Sequence, residues 1–345
     1  MAEAAEKEEP AAEVLLGVAP GPHIVSARST RSVMIDVLIA LIPVVVVGLY
    51  VFRWRALALI ATCTCSCVLY EWLWQALRRR PQTIGDCSAL VTGLILALSI
   101  PWTVPWYVPV IGSGVAIIVA KMFFGGLGTN IFNPAMAGRA FLQACFAGQM
   151  VNYLLDGQGP PGAVQAATRL GGEAVAVVTT ATPLAAAKSG IVFSLRDLAV
   201  GTVNGSVGET SAVACVLGGL YLICRRAANW RIPLAMLATA AVVAEINQLV
   251  RPDAPFTAAH HLLAGAMLFG AFFIATDPAT SPLSRRGLWI FGAGVGLLVM
   301  LIRLFAKAPE GVMYAVLVMN MAVPLIDRWT VPRPVGGPVP RPKPA

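Results

Sequence analysis

Several small groups of residues in this chain have types and spacings that could do chemistry. The first is Thr179-Thr180-Ala181-Thr182-Pro183, followed by Leu184-Ala185-Ala186-Ala187-Lys188, a run of strong helix formers. Thr182 reads as an N-cap and Pro183 as the first helical residue, where its missing N–H costs nothing. A phosphate esterified to the Thr182 hydroxyl would lie among unpaired N–H groups at the positive end of a helix dipole. The structural alternative is an ordinary N-cap in a surface loop. The second group is Gly125-Gly126-Leu127-Gly128-Thr129-Asn130-Ile131-Phe132-Asn133-Pro134. Its glycines expose backbone N–H groups, and Asn130 and Asn133, three apart, share one helix face. Each amide offers two donors and an acceptor, which suits a planar ring with a uracil-like edge such as a flavin. An asparagine in hydrocarbon is costly unless paired, so packing between helices explains the pair equally well. The third is Asn204-Gly205-Ser206-Val207-Gly208-Glu209-Thr210-Ser211, where Gly205 and Ser206 could cradle an anion or simply cap the following helix.

A scatter of ionisable groups falls in or beside apolar segments: Asp36, Glu71, Arg139, Glu245, Asp277 and Asp327. Such groups default to pathway or relay roles in membranes. Glu71, Asp277 and Asp327 are the candidates for an ion pathway, the alternative being positions in the headgroup region. Arg139 and Glu245 sit deeper and are candidates to pair within the bundle. His23, His260 and His261 show no ligand spacing and read as interfacial. Cys63 and Cys67 share a helix face and Cys65 points away, so the trio cannot converge on a metal. The seven cysteines read as small buried apolar residues.

The elements that must position these groups are apolar helices. Hydrophobic residues make up 57% of the chain and charged ones 12%, which in a chain of this length indicates an all-α integral membrane protein with many spans. The net charge of +8 comes from basic residues at the ends of apolar segments, a topology pattern rather than a nucleic-acid surface. About ten apolar segments can be drawn: 33–52, 55–77, 88–101, 105–124, 131–148, 211–227, 232–250, 259–276, 287–305 and 311–327. Placing both tails in the cytoplasm puts Arg78–Arg80, Lys121, Arg225, Arg226, Arg231, Arg285, Arg286 and Arg328 inside. Arg53, Arg55, Arg251, Arg303 and Lys307 then fall in outer loops, and the segment bearing Thr182 faces outward.

Residues 1–30 read as a cytoplasmic tail, without the basic and apolar regions of a signal peptide. Residues 31–148 form a first five-helix half, 149–208 an extracytoplasmic loop, 209–328 a second half, and 329–345 a Pro-rich tail. Gly93 to Pro101 and Gly270 to Pro278 are short, Pro-ended segments in matching places, and Asn133-Pro-Ala-Met is echoed by Asn320-Met-Ala-Val. Because five is odd, the halves insert with opposite orientation. The pattern predicts an inverted repeat with broken helices and a site between the halves.

The chain resembles the family of the D subunit of the Rnf ferredoxin:NAD⁺ oxidoreductase complex and the B subunit of the Na⁺-translocating NADH:quinone reductase. The resemblance runs from about Gly21 to Arg333. It is carried by Gly21-Pro-His-Ile24, Ser88 to Gly93, Gly125 to Gly138, Gly205 to Ser211, Asn229 to Pro233, Ala275 to Pro278, and Pro309 through Asp327. It implies a urea-channel-like fold of ten transmembrane helices in two inverted halves. It also implies FMN joined through a phosphoester to Thr182, and a non-covalent riboflavin at Asn130 and Asn133. At the motif's glycine this chain has Thr180, and at its upstream aspartate Ala176.

The implied role is electron relay coupled to Na⁺ or H⁺ transport in a bacterial cytoplasmic (inner) membrane, with the flavin loop periplasmic. The implied partners are other membrane, flavin and iron–sulfur subunits, plus a flavin transferase for maturation. A quinone-reductase-type subunit, or a solute channel of the same fold without flavin, is the competing expectation.

Overall fold

A computed structural model describes residues 28–151, 182–184, 193–201, 205–252, 256–306 and 311–331. Helix α1 spans Thr30–Leu77 and is capped by Ser29, whose hydroxyl accepts from the Ser32 N–H at 3.2 Å. A straight helix of that length would reach about 70 Å, yet Thr30 and Trp74 border the same vestibule. The helix therefore folds back on itself, and it does so at Arg53, whose φ of 56° breaks the helical path. Two arms result, matching the two apolar runs on either side of Arg53.

The chain continues through α2 (Ser88–Ser99) and α3 (Tyr107–Gly114), which runs on as a π-helical stretch Val115–Met122. Then come α4 (Pro134–Cys145) and α5 (Ala147–Val151). Beyond lie α6 (Leu195–Val200), α7 (Ala212–Cys224) and α8 (Arg231–Val250). The next pair is α9 (Ala258–Leu263) and α10 (Met267–Phe269), the latter extended by a π-helical turn Gly270–Ile274. Last are α11 (Arg285–Phe305) and α12 (Val312–Thr330). No β-strand occurs among the described residues; Pro101 and Ser206 make one isolated antiparallel bridge.

Four of these helices, α1, α8, α11 and α12, are long and apolar enough to cross a membrane. Only 33% of the most apolar window of α1 is buried, so much of its surface faces outward as Ile42, Val46, Tyr50 and Leu57. An apolar surface of that extent belongs in lipid. The chain is a multi-pass, all-α membrane protein.

Lipid supplies no hydrophobic drive between helices, so close backbone approach through small residues has to hold them. Gly292 of α11 meets the Ile232 carbonyl of α8; a Cβ there would lie 2.6 Å from it. Gly296, four residues on, meets the carbonyl of Met236, also four residues on, so α8 and α11 run parallel. The same relation holds earlier in the chain. Ser113 donates to the Cys63 carbonyl, and Lys121, eight residues later, pairs with Glu71, eight residues after Cys63. The second arm of α1 is thus parallel to α3 and its π-helical extension. Both parallel pairs have an antiparallel neighbour: α4, where Gly138 approaches Gly112, and α12, where Gly294 meets Met319.

At one end of the second α1 arm Arg55 lies over the Trp54 and Trp102 rings; at the other, Arg78 lies over Trp74. Cys63 and Cys67 are buried on one face of this arm and Cys65 is exposed on another, as helical spacing requires.

Candidate functional site

The glycines at 125, 126 and 128 adopt φ of 113°, 110° and 91°, a region closed to most side chains. They turn the chain out of the π-helical stretch and into α4. Asn133 is the N-cap of α4: its Oδ1 accepts from the Met136 N–H at 3.2 Å, with Pro134 in the first turn. Its Nδ2 donates across the molecule to the Ile274 carbonyl (3.5 Å) and to Asp277 Oδ2 (3.4 Å). Asn130 works locally, its Oδ1 accepting from Gly128 N–H and its Nδ2 donating to the Phe132 carbonyl.

Both amides line an inner cavity. Its wall is mostly apolar, with Met34, Ile95, Leu222 and Phe273, and its polar groups are few: Ser88, Thr92, Lys121, the two asparagines, Thr276 and Asp277. The cavity joins residues from both sides of the long central stretch. Two of its polar groups come from π-helical segments or just beyond them: Lys121 lies in Val115–Met122, and Asp277 follows Gly270–Ile274. Widened turns of this kind recur at functional sites. Asp277 is held by the Ala279 N–H (3.2 Å) and the Thr280 hydroxyl (3.1 Å). The echo between Asn133 and Asn320 becomes a contact. The Asn320 amide satisfies its neighbours with its oxygen toward the Asn133 N–H (3.0 Å) and its nitrogen toward the Thr280 carbonyl (3.2 Å).

Glu71 does not reach this cavity. It is fully buried, its Oε2 2.7 Å from the Lys121 ammonium and its Oε1 accepting from Thr83 at 2.8 Å. Lys121 is 1% exposed, which corrects its expected place among the cytoplasmic surface charges: its stem is long enough to carry the ammonium inward from the segment end. Asp327, at the end of α12, accepts from the Leu283 N–H at 3.0 Å and fastens the loop before α11.

Thr182 is 4% exposed, so its hydroxyl is in the protein and not on an open surface loop. Pro183 and Leu184 after it are helical. Leu184 packs against Gly265, whose φ of 67° marks the break between α9 and α10, close to Arg303. Thr179 and Thr180 lie outside the described residues. Gly205 and Ser206 are buried, and Ser206 Oγ has no hydrogen-bond partner among the described residues. The cap of α7 is Ser211, which accepts from the Ala214 N–H.

Three further expectations change. Glu245 is exposed and not deep, whereas Arg139 does pair within the bundle, with buried Glu209 at 3.6 Å. Arg303 is not in an outer loop; it is buried in the last turn of α11, donating to the carbonyls of His261 (2.5 Å) and Ala264 (3.0 Å) at the α9 break. His261 is likewise buried and not interfacial. Sequence reasoning missed Ser88, Lys121 and Glu209 as site residues. The available signal was an uncompensated lysine at the end of an apolar run beside a glutamate deep in another.

The family model described as "NQR2, RnfD, RnfE family" matches residues 17–336. The chain is 43% identical to the D subunit of the Na(+)-translocating ferredoxin:NAD(+) oxidoreductase complex of Acetobacterium woodii, over 94% of this chain and 96% of that one. It is 38% identical to the D subunit of the proton-translocating ferredoxin:NAD(+) oxidoreductase complex of Clostridium ljungdahlii, covering 91% and 94%. It is also 38% identical to the D subunit of the ion-translocating oxidoreductase complex of Escherichia coli, covering 92% and 98%.

Proposed function

We propose that this chain, which belongs to the NQR2, RnfD, RnfE family, is the D-type membrane subunit of an ion-translocating ferredoxin:NAD⁺ oxidoreductase complex. The observation that carries the reading is similarity along nearly the whole chain to subunits so named, at 38–43% identity. In that role it relays electrons inside an assembly and does not act alone. Its partners are the flavin- and iron–sulfur-bearing subunits, with a flavin transferase for maturation. The membrane is the bacterial inner membrane. Both tails face the cytoplasm, and the segment with Thr182 faces the periplasm, as the charge bias favours. Ten spans in two inverted halves are the architecture we infer. The two parallel pairs, each with its antiparallel neighbour, support it.

Two flavin positions follow. FMN is carried on the Thr182 hydroxyl, at the start of a helical turn where a phosphate is tolerated. Buried Gly205 and Ser206 are the second contact we assign to it; the unspent Ser206 hydroxyl favours a polar ligand. A riboflavin occupies the cavity at Asn130 and Asn133. The mostly apolar lining with a few convergent polar groups is of the kind that organic-ligand sites present. Asn130 spends one donor and one lone pair internally, which leaves one of each for a ring edge. A bound flavin supplies the electron chemistry; this chain supplies placement, exclusion of water and charge. Asp277 beside the cavity, Glu71 behind Lys121, and Asp327 at the neighbouring loop are the acids assigned to the ion pathway.

The test is fluorescence of the denatured protein in a gel. Thr182→Ala should abolish it, Thr182→Ser should keep part, and Thr179→Ala should keep all. A peptide around Thr182 without an FMN-phosphate mass, from cells with an active flavin transferase, would refute the covalent assignment. Flavin extracted without covalent cleavage should fall in Asn130→Leu, the variant that spares the α4 cap.

A further inference from the structure

The start of the second α1 arm borders a groove that neither the flavin positions nor the ion pathway uses. Trp54, Arg55, Ala58 and Thr62 of α1 form one wall, and Trp102 and Trp106 of the α2–α3 connection belong to the other. The Arg55 guanidinium carbon lies 5.3 Å from the centre of the Trp102 ring and 5.7 Å from that of Trp54. Phe52 stacks on Trp102 at 5.5 Å and fixes that ring. A guanidinium laid on ring faces keeps its in-plane N–H groups for an acceptor.

The chain supplies no such acceptor. Arg55 Nη1 is buried and has no hydrogen-bond partner among the described residues. A buried donor left unpaired is costly, so native proteins rarely keep one without a ligand or water to bond it. None of the residues lining the groove is acidic. Glu71, the one carboxylate on this arm, lies sixteen residues further on, about 24 Å along the helix. Arg53, exposed and two residues before Arg55, adds positive charge at the same end. The chemistry that completes the site is therefore an anion from outside the chain.

The rest of the groove says what the anion is attached to. From Arg55 to Thr62 the arm advances about 10 Å toward the hydrocarbon. Thr62 spends its hydroxyl on the Ala58 carbonyl at 2.7 Å, and Ala58 and Leu59 are apolar. One end is cationic and flanked by tryptophans, which prefer the water–lipid boundary. The other end is apolar. That is the polarity of an amphiphile with a negative head.

We propose that this groove binds one anionic phospholipid. The Arg55 fork holds the phosphodiester through charge-assisted hydrogen bonds, and an acyl chain lies along Ala58 and Thr62. A free phosphate or a neighbouring subunit's carboxylate would satisfy Arg55 but leave the apolar length unused. Flavin plays no part in this recognition.

The experiment titrates the delipidated full chain in detergent with phosphatidylglycerol or phosphatidylcholine of the same acyl chains, counting bound lipid by native mass spectrometry. One phosphatidylglycerol should bind about tenfold more tightly than phosphatidylcholine, the worth of one charge-assisted contact. Arg55→Gln should erase the preference, and Arg55→Lys should keep part of it, having the charge without the fork. An unchanged preference in Arg55→Gln overturns the proposal. If that variant does not fold, Ala58→Phe, at an exposed helix position, fills the apolar end and should weaken phosphatidylglycerol to a similar extent; unchanged binding overturns the proposal. Inorganic phosphate that displaces the lipid at equal concentration also overturns it, since the site then reads the anion alone. In the assembled complex, phosphatidylglycerol with a photoreactive acyl chain should label the peptide that holds Ala58. Labelling of the isolated chain but not of the complex means that another subunit covers the groove, and overturns the proposal.

Discussion

Exchanging the polarity of the Asn133–Asp277 contact tests whether the cavity wall is latched there. Asn133 caps α4 through its oxygen and faces the Asp277 carboxylate through its nitrogen at 3.4 Å. Asn133→Asp keeps the cap, because a carboxylate oxygen accepts from the Met136 N–H equally well and gains from the helix dipole. It also sets two carboxylates about 4 Å apart, where repulsion at an effective dielectric of about 20 is roughly 4 kcal/mol. Asp277 is half-buried, so solvent screening lowers that figure, and the dipole returns about 0.5 kcal/mol. A net loss of about 2–3 kcal/mol is expected after these reductions. At roughly 2 °C per kcal/mol for a chain of this size, melting should fall by about 4–6 °C. Adding Asp277→Asn restores one amide facing one carboxylate with donor and acceptor interchanged, and should recover most of the loss. The assay is a double-mutant cycle on detergent-purified protein followed by thermal melting. If Asn133→Asp melts like the parent, or the double variant is no more stable than Asn133→Asp, the contact carries no energy and the latch is refuted.

Two other outcomes follow from packing and from charge. Gly292→Ala puts a methyl 2.6 Å from the backbone oxygen of Ile232, whereas Gly294→Ala meets only the flexible end of Met319. The first should cost about 1–3 kcal/mol of stability and the second under about 1 kcal/mol, read as melting temperatures; equal shifts would contradict the α8–α11 approach. A cysteine placed in the Arg78–Arg80 turn should react with an impermeant thiol reagent only after the inner membrane is opened, and one beside Thr182 before; the reverse pattern would invert the proposed orientation.

The helices were legible because hydropathy reports them directly, and the fold-back of α1 was legible because Arg53 and Arg55 interrupt two apolar runs. The partners of buried charges were not. Arg139 reads as a group paired within the bundle because it lies deep in an apolar segment, but its partner Glu209 reads as part of a polar loop. Lys121 looked like a topology signal because it ends an apolar run, and nothing local says that its ammonium points inward. Asn133 could be read as a cap from the proline after it, but its bond to Asp277 joins residues 144 apart. Hydropathy carries no information on such contacts. The relatives' names include both a sodium and a proton complex at 43% and 38% identity, so overall similarity does not select the ion either.

The Arg–Trp contacts at the two ends of the second α1 arm set a length scale. Trp54 and Trp74 are twenty residues apart, which is about 30 Å of helix and equals the usual hydrocarbon thickness. Aromatic rings backed by guanidinium groups prefer the water–lipid boundary. The arm is therefore long enough to span the bilayer, like a post between floor and ceiling. Sliding it along the membrane normal would drag one aromatic clamp into oil and push the other into water. Glu71 rides on this post at a set depth, and its ion pair with Lys121 ties the neighbouring π-helical stretch to that depth.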